Sequence, residues 1–461
     1  MKRKLWWAVI FSVIFVLCTV PAVITNAAVQ SETESASWQT CTVYAGDNVE
    51  DQNYSVWSKP MYSYLTPCED GRLMRVQGNT KAGGILVEYY DENYNLKETK
   101  IIKNELSIFG GFYATDSNYF LLTGQNNIDE LADVEVYRIT KYDKEWNRID
   151  SAGLYDCNTT YPFDAGSARM DVCGDYLLIR TSHEMYTSSD GYNHQANVTI
   201  QLNMNTMEIT DSFTKVADSS CGYVSHSFNQ FIKIDENHIV AVDHGDAYPR
   251  AIALLKYPTD VSAGKFTPSY YNPCTLKNVM TFPGNTGNNA TGASVGGFEL
   301  SDSSYLVAGN SVEQDDTNTS RSTRNVFVAA VNKDMDSVNT TWLTDYEEGN
   351  GTTSTPQLVK ISNTRYVVLW SRNKTVYYTT VNGEGEKTSD IYEVSGNLSD
   401  CAPAVVNNKL VWYVWDDEEI TFYEINLTDL SKITKKLIRN GHDYENTGVV
   451  GWMCALKMLT L

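Results

Sequence analysis

One hairpin pattern recurs seven times along the chain and constrains its fold more than any other feature. Each copy has a turn rich in Asp, Asn, Ser or Gly, a short apolar strand, a second strand and another polar turn. These segments are rich in β-branched and aromatic residues, and none sustains the 3.6-residue period of an amphipathic helix, so all are predicted as strands. The first strands of the copies contain, in order, Leu73, Tyr119, Tyr176, His238, Tyr305, Tyr366 and Leu410.

The sixth copy displays a whole repeating unit. Its segments TPQLVKIS, RYVVLWSR, TVYYTTVN and SDIYEVSG have the pattern of four strands joined by short turns. Seven such units predict an all-β fold, a seven-bladed β-propeller of four-stranded antiparallel blades, built as a single domain by residues 28–461. A pair of β-sandwiches is the alternative. We expect the terminal segments 38–60 and 441–461 to complete the closing blade.

Residues 1–27 are predicted to be a signal peptide. Three basic residues precede an apolar run from Leu5 to Ile24, and small residues of the type that signal peptidases accept follow it. An uncleaved membrane anchor is the alternative, because the run is long enough to span a bilayer. Pro21 and the small residues favour cleavage, and therefore a secreted, extracellular protein.

Eight cysteines follow the predicted signal peptide. An even number in an exported chain is compatible with up to four disulfide bonds, and buried free thiols are the alternative. None of the spacings is short enough for a zinc ribbon or a redox motif. The pairing of the cysteines stays open at this point.

The net charge argues against several classes of partner. It is −21, spread along the chain without a basic stripe. Such a surface repels nucleic acid and, once the signal is cleaved, anionic membrane. We expect a monomer that binds an extracellular carbohydrate or peptide.

Five of the six histidines lie between residues 183 and 244. In a propeller, the loops between second and third strands and the crossovers between blades emerge on one face. The expected loops 181–197 and 243–250, with the crossover before the fourth blade, therefore bring four histidines to one face of blades three and four. His238 would lie at the opposite face, and His442 is distant in sequence.

We predict a ligand site on that face; the alternative is that its polar groups only pin two unusual loops. The predicted catalytic residues are His226, His244, Tyr248 and Arg250. The predicted ligand-binding residues are Arg180, His183, Tyr186, His194, Asn197, Asn229, Asp243 and Asp246.

Three kinds of chemistry suit these residues. Imidazoles beside carboxylates such as Glu184 could hold a divalent metal ion, although no His-x-x-x-His motif occurs. A histidine or tyrosine base with an arginine to neutralise a uronate would serve β-elimination on an acidic polysaccharide. Aromatic rings beside hydrogen-bonding groups would bind a sugar or peptide without catalysis.

The segment SHSFNQFIKIDENHIVAVDHGDAYPR, residues 225–250, resembles propeller polysaccharide lyases with BNR-like repeats. The similarity lies in its His-x-x-Asn, Asp, His and Asp-His rhythm and covers about one blade. The Ser-x-Asp-x-Gly-x-Thr-Trp boxes of sialidase-type propellers are absent from the sequence. The resemblance implies a base at His226 or His244 and a carboxylate-binding cation at Arg250.

Glycan binding is therefore our first expectation for the function. The alternative is a polysaccharide lyase or another metal-assisted glycan-processing enzyme, so whether the protein is an enzyme stays open. The sequence lacks a phosphate-loop motif, which disfavours nucleotide chemistry.

Overall fold

The computed structural model describes Ser58 and residues 60–78, 84–314, 323–350, 352–416 and 419–439. The chain divides into two units, 1–36 and 37–461, and every described residue belongs to the second. The predicted signal peptide, His442 and the segment 441–461 lie outside the described residues, as does most of 38–60, so the predictions about them stay open. No helix within the described part of the chain is long and apolar enough to cross a membrane.

Within those ranges the regular structure is almost entirely β. Two 3-10 turns are present, at Ser219–Cys221 and Val261–Ala263. The strands are β1 (Ser63–Pro67), β2 (Leu73–Gln77), β3 (Gly84–Tyr90), β4 (Leu96–Lys103), β5 (Ile108–Ala114), β6 (Tyr119–Gly124), β7 (Tyr137–Tyr142), β8 (Arg148–Leu154), β9 (Tyr161–Pro162), β10 (Arg169–Cys173), β11 (Tyr176–Thr187), β12 (Asn193–Asn203), β13 (Glu208–Phe213), β14 (Ser225–Asp235), β15 (His238–Tyr248), β16 (Arg250–Asp260), β17 (Thr275–Thr281), β18 (Ala293–Leu300), β19 (Ser304–Ser311), β20 (Asn325–Asn332), β21 (Val338–Trp342), β22 (Gln357–Ser362), β23 (Arg365–Arg372), β24 (Thr375–Val381), β25 (Tyr392–Ser395), β26 (Ala404–Val406), β27 (Lys409–Asp416), β28 (Glu419–Asn426) and β29 (Ile433–Arg439).

The strands form antiparallel sheets in chain order. Five sheets have four strands each: β1–β4, β5–β8, β18–β21, β22–β25 and β26–β29. A sixth sheet has nine strands, β9–β17. The seven hairpins recognised in the sequence are the pairs β2–β3, β6–β7, β11–β12, β15–β16, β19–β20, β23–β24 and β27–β28. The predictions of an all-β fold and of four-stranded antiparallel blades are confirmed.

The sheets surround a central axis. Strands of neighbouring sheets contact one another: β10 of the nine-stranded sheet contacts β5, β14 of the same sheet contacts β18, and β18 contacts β22. Within the nine-stranded sheet, β10 also contacts β14. The ring is closed by a contact between β1 and β26, the first strands of the first and last sheets. Sheets arranged radially in this way constitute a β-propeller.

Closure of the ring is mainly aromatic. Tyr90 and Tyr94 of the first sheet lie in one hydrophobic cluster with Tyr413 and Phe422 of the last. The rings of Tyr94 and Phe422 stack with centroids 4.6 Å apart. The Tyr94 hydroxyl also donates a 2.5 Å hydrogen bond to Glu424. Such aromatic pairs contribute roughly 0.5–1.5 kcal/mol beyond the burial of their area, so this interface stabilises closure without a shared sheet.

The blade count differs from the prediction: five separate four-stranded sheets are present, not seven. The cause is a backbone pairing between β12 and β14, at Ala196 and Ser225, which joins the third and fourth repeats into the nine-stranded sheet. The expected loops 181–197 and 243–250 are also largely strand. An antiparallel hairpin pairs backbone groups whatever the polarity of its side chains, so polar sequence did not end these strands.

Candidate functional site

The predicted site residues gather at the end of the nine-stranded sheet that is marked by the Ala196–Ser225 pair, called here the upper end. His183 lies opposite Ala196, and His244 lies opposite Phe228 on the next pair of strands. His194 and His226 adjoin the Ala196–Ser225 pair in sequence. The register therefore brings four histidines to one end. His238 pairs with Asp235 at the opposite end of β15, where the sequence placed it.

Arg180 and Asp243 form a fully buried ion pair beneath the upper end. The Arg180 Nε lies 3.1 Å from each Asp243 oxygen, and its Nη2 donates to Oδ2. Nη1 donates to the Thr199 and Tyr257 hydroxyls at 2.7 and 2.9 Å. Asp243 also accepts from Ser227 Oγ at 2.8 Å. Both side chains have zero exposure, so they hold the strands together and present no group to a ligand.

His183 and His244 are core residues as well. His183 Nδ1 lies 2.6 Å from Thr159 Oγ1, and His244 Nε2 lies 2.9 Å from Thr291 Oγ1. Burial lowers the pKa of His183 to about 3. Burial, followed by repulsion from Arg324 and Arg250, lowers the pKa of His244 to about 3. Both imidazoles are neutral and enclosed, which is unsuitable for the base role expected of His244.

Arg250 fastens loops to the upper end. Its Nε donates to the Pro283 carbonyl at 2.9 Å, and its Nη1 donates to the carbonyls of Asp246 and Asn288 at 2.9 and 2.5 Å. Burial lowers the pKa of Arg250, with Asp246 acting in the opposite sense. The guanidinium therefore ties the chain around 283–288 to the β15–β16 hairpin, whereas the sequence predicted contact with a ligand carboxylate.

The two asparagines predicted to bind a ligand, Asn197 and Asn229, are instead buried and form hydrogen bonds with the backbone. The Asn197 amide donates to the Gly222 carbonyl at 3.0 Å and accepts from the Val224 N–H at 2.5 Å. The Asn229 amide donates to the Val295 carbonyl at 3.2 Å. Both side chains are buried. They fix the crossover into β14 and the contact between neighbouring inner strands.

His226 is the titratable predicted residue best placed for a ligand. Its imidazole is partly exposed, and Nδ1 lies 3.0 Å from Oδ1 of the fully buried Asp246. A buried carboxylate that orients an imidazole in this way leaves Nε2 as the ring nitrogen to meet a ligand. His194 makes a similar 2.8 Å contact with Asp190, but both partners are exposed at the tip of the β11–β12 hairpin.

Tyrosines are the prominent exposed apolar groups of the upper end. Tyr192, in the β11–β12 turn, is 71% exposed, and Tyr248, at the end of β15, is 67% exposed. Tyr161 is also exposed and pairs with Glu184 across β9 and β11. Tyr186, which the sequence predicted to bind ligand, instead accepts a 2.8 Å hydrogen bond from Asn127.

Asp164 and Gln195, which no sequence motif singled out, connect the two halves of the site. The Gln195 amide donates to the carbonyls of Asp164 and Ser227 at 3.0 and 2.5 Å and accepts from the Ser227 N–H at 2.6 Å. Glu184 lies opposite Gln195 in the register. Burial, with a smaller contribution from Glu184, raises the pKa of Asp164 to about 6. Asp164, Glu184 and Gln195 are all partly exposed.

Four residues near these groups have a left-handed backbone conformation. Phe163 and Ala165, on either side of Asp164, have φ values of 61° and 48°. His226 and Asn229 have φ values of 49° and 48°. A left-handed conformation costs a residue with a side chain roughly 1–2 kcal/mol, and strained residues often cluster at functional sites. Gly166 marks this turn in the sequence, since a Cβ there would lie 1.7 Å from Ser182 Oγ.

The described residues give no support to a metal centre. Among them, no group of three or more His, Cys, Asp or Glu side chains is arranged to hold a metal ion. The carboxylates of Asp243 and Asp246 are instead directed to Arg180 and His226.

Comparison with known proteins identifies no family. No family model and no curated protein matches the sequence. A functionally unknown protein from Desulfotomaculum acetoxidans has a TM-score of 0.42 and 10% identity, covering 78% of this chain and 93% of its own. The structure of the Dos1 propeller has a TM-score of 0.40 and 11% identity, covering 86% and 88% of the two chains.

Prolyl oligopeptidase B from Galerina marginata has a TM-score of 0.46 and 7% identity over 84% of this chain. The match spans 52% of the enzyme chain, or about half of its length. None of these similarities identifies an activity, and the resemblance of residues 225–250 to polysaccharide lyases has no support among them.

Proposed function

We propose that the protein is a secreted propeller that binds an extracellular glycan at the upper end of the nine-stranded sheet. The observation that carries the proposal is the pair of exposed tyrosines, Tyr192 and Tyr248, at the same end of the sheet as the partly exposed His226, Glu184 and Asp164. Flat ring faces stack on the apolar faces of sugars, while carboxylates and imidazoles accept and donate hydrogen bonds to hydroxyl groups. Secretion rests on the N-terminal sequence.

The rigidity of the surroundings supports this proposal. Beneath the exposed groups, the Arg180–Asp243 pair and the amides of Asn197 and Asn229 satisfy one another or the backbone. A preorganised surface loses little conformational entropy when it binds, which benefits weakly binding ligands such as sugars.

A glycan array followed by calorimetry tests the proposal. Tyr192→Ala and Tyr248→Ala should each weaken binding at least tenfold while leaving the melting temperature unchanged. The matched control is Tyr270→Ala with Tyr271→Ala, since these tyrosines are 83% and 93% exposed but lie between β16 and β17, away from the upper end. Equal loss of binding in the control, or an array without any bound glycan, would refute the proposed site.

We propose cleavage as the second candidate function, on account of the His226–Asp246 pair. A partly exposed imidazole oriented by a buried carboxylate has the arrangement of a general base, which β-elimination on a uronate-containing polysaccharide requires. An absorbance assay for unsaturated uronate products tests this. His226→Gln should abolish any such activity, whereas binding that persists without new absorbance in the wild-type protein would favour recognition alone.

We also propose that the nine-stranded sheet is two blades merged at the Ala196–Ser225 pair, which would make the propeller seven-bladed. Its support is a hydrophobic cluster inside this sheet, between Leu178 and Phe213 on one half and Ile232 and Tyr257 on the other. Similar hydrophobic clusters lie between the other pairs of neighbouring sheets. An experimental structure with five or six angular sectors about the axis would overturn this count.

A further inference from the structure

Two cysteines meet on the crossover that leads into the candidate site. Cys221 ends the 3-10 turn Ser219–Cys221, four residues before the start of β14. Cys274, which immediately precedes β17, donates its backbone N–H to the Ser220 carbonyl at 2.8 Å. The Cys274 thiol is 3.3 Å from the Ser219 carbonyl oxygen. The backbone and the sulfur of Cys274 thus both contact the residues directly before Cys221.

This arrangement is within the reach of a disulfide. Disulfides span Cα separations of roughly 4.4–6.8 Å, and the contacts of Cys274 with Ser219 and Ser220 place it beside the residue that precedes Cys221. Cys274 is buried in a hydrophobic cluster against which the partly buried Cys221 packs, and both thiols are free. Burial raises the pKa of the Cys274 thiol to about 11, and the Cys221 sulfur is among the smaller causes.

Other described cysteines direct their thiols elsewhere. The Cys173 thiol lies 3.6 Å from Asn237 Oδ1, and the Cys401 thiol lies 3.5 Å from the Ala402 carbonyl. Cys173 packs against the same cluster as Cys221 and Cys274. It therefore serves as a control for the general reactivity of thiols in that part of the fold.

We propose that Cys221 and Cys274 form an intramolecular disulfide when the protein meets a disulfide oxidant. One thiolate attacks the oxidant to give a mixed disulfide, and the second thiolate displaces the oxidant's remaining thiol. The two cysteines lose two electrons and two protons in total, and the oxidant is reduced to two thiols. The new bond braces the crossover that carries His226 against β17, on the far side of the same repeat.

Peptide mapping of the intact protein tests the proposal. The protein is equilibrated with oxidised glutathione, its free thiols are alkylated, and it is digested without a reductant for mass spectrometry. The expected product is one linked pair of peptides containing Cys221 and Cys274, two hydrogen atoms lighter than the sum of the free peptides. Cys221→Ser and Cys274→Ser should each abolish this product, whereas Cys173→Ser should leave it unchanged.

Thermal unfolding supplies a second measurement. The oxidised wild-type protein and the Cys173→Ser variant should melt higher than their reduced forms, and this difference should vanish in both single variants of the pair. If Cys221 and Cys274 stay open to alkylation in the folded, oxidised protein, or if either links to a different cysteine, the proposed pairing is wrong.

Discussion

Replacement of Asp243 by Asn tests whether this carboxylate binds a ligand or stabilises the fold through its buried ion pair with Arg180. The sequence pattern suggested that Asp243 binds a ligand, whereas its oxygens face Arg180 and Ser227 with zero exposure. The change preserves the shape of the side chain but removes its charge. It also turns an amide N–H₂ toward the guanidinium, so that donors face donors and the Arg180 charge is left in the interior without its counterion.

The expected magnitude follows from the burial of the pair. Removing one partner of a buried ion pair costs about 3–5 kcal/mol, because the remaining charge cannot regain its hydration. The entropy of unfolding is about 2.1 cal/mol/K per residue, or roughly 0.8 kcal/mol/K for the ~370 residues that make up the propeller. We therefore expect Asp243→Asn to lower the melting temperature by about 4–6 °C.

Asp190→Asn is the matched control. Asp190 also contacts a basic side chain, His194, but the two side chains are 52% and 36% exposed. Exposed ion pairs contribute little to stability, so its melting temperature should change by about 1 °C at most. Calorimetry and urea unfolding of both variants give the comparison. A normal melting temperature for Asp243→Asn together with a loss of ligand binding would refute this reasoning and restore Asp243 as a ligand-binding residue.

Three further predictions concern pH, Arg250 and His226. The pKa values of His183 and His244, about 3 in the folded protein, lie below the value of about 6.5 for an unfolded chain, so stability is complete above pH 6.5 and falls with acidification toward pH 3. Between pH 6.5 and 5, protonation of each histidine in the unfolded chain lowers the free energy of unfolding by about 2 kcal/mol. Asp164 offsets part of this loss, because its pKa is raised in the folded protein. Urea titrations that show no loss of stability over this pH range would contradict the prediction. Arg250→Ala should lower the free energy of unfolding by about 2 kcal/mol, because three carbonyls lose a charged donor, and an unchanged urea midpoint would exclude that role. His226→Gln exchanges one hydrogen-bond donor to the buried Asp246 for another, so it should change the free energy of unfolding by less than about 1.5 kcal/mol, and a larger shift in its melting curve would show that the partly exposed imidazole supports the fold.

The propeller was predictable because its signal is repeated and local. Each hairpin, such as the one through Tyr366, shows its strands by β-branched and aromatic residues and its turns by polar ones. A pattern found seven times tolerates errors in any single copy. The fusion of the third and fourth repeats was not predictable, since it depends on one backbone pair, Ala196 with Ser225, whose side chains give no sign of it.

The composition of the site was harder to predict than its location. The histidines do converge at one end, as the order of strands and turns requires. Whether each one faces the core or the solvent depends on the register, because successive side chains of a strand point to opposite faces. His183 and His244 face inward, while Asp164 was overlooked because it lies in a crossover without any strand pattern.

Bulges explain why His226 is partly exposed while its neighbour in β14, Ser227, is buried. The pairing of β14 with β15 shifts between Ser225 and Ser227 and again between Phe228 and Phe231. The first shift places the extra residue in β15 and the second places it in β14, and the left-handed residues His226 and Asn229 of β14 fall within these shifts. His226 is thereby turned toward solvent while Ser227 reaches the buried Asp243. The same local distortion thus supplies both the rigid base of the candidate site and its partly exposed imidazole.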